Sequence, residues 1–243
     1  MLSDIWGVTK REFRSYFLSP IAYVVGAIFL FYGAYEFFQF IFLEAGRGAE
    51  ARMNMYFNQL PLYFLVLVPA LSMRLWSEER KLGTLELLLT FPVKTGALIL
   101  GKFCGALLFL AVLLGLTLLY PITLAALGNL DWGPVVGGYV GALLLGASYL
   151  ALGMFISSLS RDQIIALIVT VVALMLMVRL PALAAYFMPK SWIEPLMVLS
   201  PVTHFTSIAR GVIDFADIVF YAAFVALFLF LNSIVLEYRK WVG

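Results

Sequence analysis

Six apolar runs, each long enough to cross a bilayer, constrain this chain more than any other feature of its sequence. A hydrocarbon layer of about 30 Å is crossed by about 20 residues of helix, and such runs fall at about 21–43, 57–75, 99–127, 135–158, 163–187 and 217–237. Charges, or Pro and Gly, separate them, as at Gly46–Gly48, Pro92, Gly128–Pro134, Arg161–Asp162 and Pro189. In lipid every backbone group must be satisfied within the chain, so the expected fold is an all-α integral membrane protein of six transmembrane helices in one domain. The third run is longer than a crossing requires, which predicts that it tilts, bends or projects beyond the bilayer.

Composition closes the soluble alternative. Of 243 residues, 63% are hydrophobic and 12% are charged, roughly half the charged share of soluble domains. The bilayer is therefore the expected solvent. A net charge of +2 with no large basic patch excludes nucleic acid as an expected partner. The single cysteine, Cys104, rules out an internal disulfide and any multi-cysteine metal site. Lys10, Arg11 and Arg14 precede the first run, which is too long for a signal peptide and lacks a small-residue cleavage site, so it reads as a retained span. With the N-terminus inside, 11 of the 16 Lys and Arg fall on the cytoplasmic side and 5 outside, and both termini are expected in the cytoplasm.

Segments that do not cross carry most of the remaining information. Residues 4–18 set Trp6, Phe13, Tyr16 and Phe17 on one face and Lys10, Arg11 and Arg14 on another. That is the pattern of a helix lying in the membrane interface, the alternative being a plain extension of the first span. Ser19–Pro20 makes the corner between them. Between the fifth and sixth spans, 188–216 holds two short apolar pieces, Trp192–Leu199 and Val202–Val212, split by Ser200–Pro201. Neither is long enough to cross, so the segment is either re-entrant or an amphipathic outer loop. Gly138, Ala142 and Gly146 form a small-residue stripe on the fourth span, and Gly101 and Gly105 repeat the spacing on the third. Such stripes admit a neighbouring helix, within one subunit or between two.

Evidence for catalysis is thin. Gly96, Gly101 and Lys102 match the opening of a nucleotide-binding P-loop, but Phe103 stands where Ser or Thr must meet magnesium, and no strand precedes it. The chain is not expected to be an enzyme or to hold a cofactor. One histidine, His204, cannot build a histidine-based metal site, and a hydrogen-bonded role outweighs a ligand role for it. Glu36 is the clear ionisable residue inside a span, with Gln39 near it, too little for an ion-coupled secondary transporter. Arg179, near the outer end of the fifth span, can snorkel.

The most informative stretch lies between the second and third spans. Charges from Arg74 to Lys81 end the second span; Gly83–Thr84 then reads as a helix start, with Thr84 as N-cap and Glu86 in the first turn. Leu85, Leu88 and Leu89 share a face until Pro92 ends the helix. A short amphipathic helix of this kind either docks into a groove of a partner protein or lies as an interfacial loop.

Ser77, Glu78, Glu79, Arg80, Lys81, Gly83, Thr84, Glu86, Leu88, Leu89, Pro92 and Val93, followed by Gly101–Lys102, resemble the signature of ABC-2-type exporter permeases. Lys10-Arg11-Glu12 with Ser15-Tyr16-Phe17 and Ser19-Pro20-Ile21-Ala22-Tyr23 resembles, more narrowly, the gliding-motility GldF type. So does Ser200-Pro201 with His204-Phe205, Ser207-Ile208 and Arg210 to Asp214. The resemblance implies a multi-pass permease subunit of the bacterial inner membrane, with an interfacial helix at 4–18, a coupling-helix region at 77–94 and re-entrant helices within 188–216. It implies a second permease subunit, the same chain or a related one, and separate ABC ATPase subunits that bring ATP and Mg. Glu78, Glu79, Arg80, Gly83, Thr84 and Glu86 become the ATPase-coupling candidates, and His204, Arg210 and Asp214 the candidates in the re-entrant segment. A subunit that transmits ATPase motion to a membrane neighbour without moving a substrate would need the same coupling helix, so that alternative stays open.

Overall fold

The computed structural model describes residues 2–43, 53–86, 93–128, 130–187, 197–212 and 214–242. The described chain is helical throughout. Its helices are α1 (Leu2–Phe17), α2 (Pro20–Glu36), α3 (Asn54–Ser72), α4 (Arg74–Lys81), α5 (Thr95–Leu116), α6 (Leu119–Leu127), α7 (Trp132–Leu159), α8 (Gln163–Phe187), α9 (Pro201–Ile208) and α10 (Phe215–Val242). A π-helical turn, Phe37–Phe42, prolongs α2. Five stretches are long and apolar enough to cross a membrane: Pro20–Gln39, Asn54–Lys81, Thr95–Leu127, Trp132–Leu159 and Phe215–Lys240. They match five of the six expected runs. The sixth expected run is the 25-residue helix α8.

Local sequence explains the breaks. Ser19 is extended (φ −95°, ψ 118°) with Pro20 in the first helical position, since proline excludes the helical conformation before it but fits the first turn. The long third run is broken at Thr117–Leu118. Pro121 has no N–H for the Thr117 carbonyl, and the Tyr139 hydroxyl donates to that carbonyl instead at 2.9 Å. Asp131 starts α7 by accepting the Gly133 N–H at 3.0 Å.

Helix α7 is the hub, packed against α3, α4, α5, α8, α9 and α10. Its glycines set the approach distances. A Cβ at Gly138 would overlap the Phe57 ring of α3, and one at Gly146 would overlap Leu110 of α5. Gly137 and Gly141 receive α9 through Ile208 and Phe205, and Gly153 receives Ser72 of α3. The stripe of Gly138, Ala142 and Gly146 thus serves helix contacts within this chain. The pairs Phe57–Gly138 and Ser72–Gly153 also show that α3 runs parallel to α7.

The other glycine pair, on α5, receives α1. Gly101 faces Val8, Gly105 faces Glu12, and the ring of Phe109 stacks on Tyr16 at 4.9 Å. Contact repeats every four residues on both helices over two turns, which a perpendicular crossing cannot sustain. This corrects the expected faces of α1. Thr9, Glu12 and Tyr16 form its buried side, whereas Trp6 is 65% exposed beside the charged face of Lys10, Arg11 and Arg14.

Burial divides the crossing stretches. In Asn54–Lys81 and Trp132–Leu159 the apolar window is 78% buried, against 28% for Pro20–Gln39 and 17% for Phe215–Lys240. The last two therefore present apolar faces to the surroundings of the chain. Gly146→Leu is expected to destabilise the fold by about 1–3 kcal/mol, the usual cost of overpacking. Gly115→Ala, where a Cβ would meet nothing within 4 Å, is expected to be neutral or slightly stabilising. Thermal unfolding of the detergent-purified protein compares the two.

Candidate functional site

Helix α4 continues α3 past a break at Met73, and the break has a visible cause. The Ser157 hydroxyl of α7 accepts the N–H groups of Trp76 (3.1 Å) and Ser77 (3.2 Å) and donates to the Met73 carbonyl at 2.8 Å. Those N–H groups would otherwise complete the helical ladder from α3. One side chain of the hub helix is thus inserted into the joint between α3 and α4. Leu75, Trp76 and Ser77 are buried there.

The charges of α4 divide between inside and outside. Glu79 is turned inward: its Oε1 lies 2.9 Å from Lys102 Nζ of α5 and 3.5 Å from the Arg11 guanidinium of α1. Lys102, 3% exposed, also reaches Glu12 Oε2 of α1 at 3.2 Å and lies 5.1 Å from the Trp76 ring centroid. Two cations and two carboxylates from three helices thus form one compact cluster. Desolvating Lys102, Glu12 and Glu79 costs several kcal/mol each, so these three are tolerable there only with their partners, whereas Arg11 is 66% exposed at the edge of the cluster. Beside it, Arg74 lies 4.6 Å from the Tyr16 ring centroid and donates to the Ser15 hydroxyl at 2.6 Å, and the Tyr16 hydroxyl donates to the Leu71 carbonyl at 2.9 Å. Helix α1 is bound to the α3–α4 joint as well as to α5.

The remaining coupling candidates lie toward the surface. Glu78 is 46% exposed and 4.0 Å from Arg74. Arg80 donates to the Leu159 carbonyl at the end of α7 at 2.8 Å, and Lys81 pairs with Asp162 at 3.7 Å. Gly83 ends α4 with φ +68°, where its N–H donates to the Arg80 carbonyl at 3.2 Å. A helix starts at Thr84 as expected, but the capping role expected of Thr84 is corrected. Gly83 closes the preceding helix, and Thr84 already lies in the next helical turn with its hydroxyl donating back to the Glu79 carbonyl at 3.3 Å. Leu85 is buried and Glu86 is exposed. The rest of the expected coupling helix, 87–92, lies outside the described residues.

His204, Arg210 and Asp214 are not brought into one site. Both His204 ring nitrogens face oxygens, Asp217 Oδ1 at 2.6 Å and the Val198 carbonyl at 2.8 Å, while the ring stacks on Phe220 at 4.0 Å. Arg210 donates to the Thr206 carbonyl at 3.1 Å. Asp214 starts α10 by accepting the Ala216 N–H at 3.2 Å. Helix α9 packs on the first turns of α7; the first apolar piece of the expected re-entrant segment, up to residue 196, lies outside the described residues. Glu36 lies beside the Tyr63 hydroxyl of α3.

Sequence reasoning missed Glu12, Lys102, Asp217 and Ser157. Lys102 did carry a signal, being a lone lysine within an apolar run directly after Gly101 on a helix-packing stripe.

Residues 6–236 match a protein family described as ABC-2 family transporter protein. No curated protein matches the chain.

Lys102→Met is expected to cost about 3–5 kcal/mol, because it strands two carboxylates, and Lys102→Arg to retain much of the stability. Gly83→Ala is expected to cost about 1–2 kcal/mol for a side chain in the left-handed region. Thermal unfolding of each purified variant against wild type measures both.

Proposed function

The chain belongs to the ABC-2 family of transporter proteins, and from that premise we propose that it is the permease subunit of an ATP-driven exporter, with ATP and Mg handled by separate ATPase subunits. Six helices cross, α8 among them. The end of the bundle that carries α4, Leu159 and Arg239 faces the cytoplasm, as the excess of Lys and Arg there supports. Two permease subunits, identical or related, pair in a bacterial inner membrane. The likeness to gliding-motility GldF-type subunits supports that narrower family without naming a substrate.

The observation that carries the reading is the α4 joint. A charge-bearing helix emerges from α3, is held to α7 by Ser157, and is held to α1 and α5 by the Glu79–Lys102–Glu12 cluster. ATPase closure that displaces the exposed part of this segment, Glu78, Thr84 and Glu86, is thereby passed to α3, α5 and α7 together. Arg80 and Gly83 fix the direction of the segment, one through the Leu159 carbonyl and the other through its left-handed turn. Glu79 serves inside the joint, and ATPase contact falls to its exposed neighbours. The apolar faces of α2 and α10 are free to meet lipid or the second permease subunit.

Glu78→Lys combined with Glu86→Lys is expected to lower ATPase co-purification at least about tenfold, as loss of interfacial ion pairs does, while leaving the unfolding temperature of the isolated chain within a few degrees. Retained co-purification and retained ATP-dependent activity would remove the docking assignment. ATP-dependent movement of labelled substrate candidates by the purified complex separates export from transmission of force to a membrane neighbour.

A further inference from the structure

At the same end of the bundle lies a pocket of about 810 Å³, bordered by the coupling segment through Arg80, Gly83, Leu85 and Glu86. Its lining includes Arg80 from α4, Arg161 after α7 and Arg239 near the end of α10. The three guanidiniums lie close enough to feel one another's charge. Arg80 and Arg239 are aimed by backbone carbonyls, donating to Leu159 at 2.8 Å and Ser158 at 3.0 Å. None of the three is paired with a carboxylate among the described residues, although Glu86 stands on the rim. Three cations against the one carboxylate of Glu86 leave a net positive potential that an anion relieves.

The rest of the lining is largely aliphatic and aromatic. Ile234 and Tyr238 of α10 are 47% and 68% exposed, and Leu159 is 51% exposed. They belong to, or adjoin, the crossing helix that is least buried in the chain. A ligand seated here meets both guanidinium groups and the exposed apolar side chains of α10. A small inorganic anion satisfies only the first of these, and an acidic peptide leaves the second uncovered. An amphiphile with a phosphate head and acyl chains satisfies both, and basic pockets between crossing helices at the membrane surface take lipid headgroups of this kind.

We propose that the pocket formed by Arg80, Arg161 and Arg239 against Ile234 and Tyr238 is a binding site for an anionic phospholipid. Arg161 and Arg239 hold the phosphate, and the acyl chains run along α10. The lipid would tie the end of α10 to α4, which share no direct ion pair, and would make the joint sensitive to the charge of the surrounding leaflet.

Native mass spectrometry of the full chain in detergent tests this, titrated separately with phosphatidylglycerol and phosphatidylcholine of identical acyl chains. Wild-type protein is expected to retain phosphatidylglycerol preferentially. Arg161→Gln with Arg239→Gln is expected to weaken that binding roughly tenfold or more, leaving phosphatidylcholine retention unchanged. Arg161 makes no hydrogen bond in the described chain, so Arg161→Gln alone, expected to weaken phosphatidylglycerol binding severalfold, tests the site where the double variant unfolds. Equal retention of the two lipids, or undiminished phosphatidylglycerol binding in the variants, overturns the proposal. Displacement of bound lipid by inorganic phosphate at equal concentration overturns it in favour of a free anion. No ATPase is present in this experiment, so its outcome is independent of the docking assignment above.

Discussion

Lys102 is buried between two carboxylates, and the arrangement of one end of this molecule follows from that fact. An ammonium 3% exposed in an apolar bundle is tolerable only with its counter-charges in contact. Glu12 comes from the N-terminal helix and Glu79 from the segment after α3, so satisfying one lysine fixes three helices relative to one another. Gly101 and Gly105 make the geometry possible, because any side chain there would hold α1 away from α5. Exchanging such a cluster for apolar groups is often stabilising in proteins. Here it fixes the α3–α4 joint to α1 and α5, a directional link that apolar packing alone does not specify.

The hub helix gives the same end its second constraint. Ser157 completes hydrogen bonds that the break at Met73 leaves open, and Gly153 one turn earlier lets Ser72 approach. The α3–α4 joint is thus packed against α7 on one side and tied by charge to α1 and α5 on the other. A force applied beyond Gly83 meets a framed lever rather than a loop. The opposite end of the bundle is built differently, from stacked aromatic rings such as Phe37 on Tyr120 at 4.9 Å and from backbone groups satisfied by tyrosine hydroxyls.

Much of the fold was legible before any coordinates. The apolar runs, the corner at Ser19–Pro20, the break-prone third run and the small-residue stripe each depend on near neighbours in sequence, and local chemistry decides them. The candidate site was legible only as a segment. Gly83 and Thr84 read as a helix start, and a helix does begin at Thr84, but the glycine at φ +68° that closes α4 takes the flanking position expected of Thr84. Glu79 read as an ATPase-coupling candidate beside Glu78 because nothing local distinguishes the two.

The sequence by itself determined that this chain lives in lipid, roughly where it crosses, and which segment between the second and third spans is charged and exposed at a helix end. Those properties are sums over neighbouring residues, governed by transfer free energy and helix geometry. The tertiary structure alone decided which charges point inward, which glycines receive which helix, and that Arg80, Arg161 and Arg239 converge on one pocket. These depend on residues as far apart as Glu12 and Lys102, or Trp76 and Ser157, and no periodicity within a single helix encodes such a meeting.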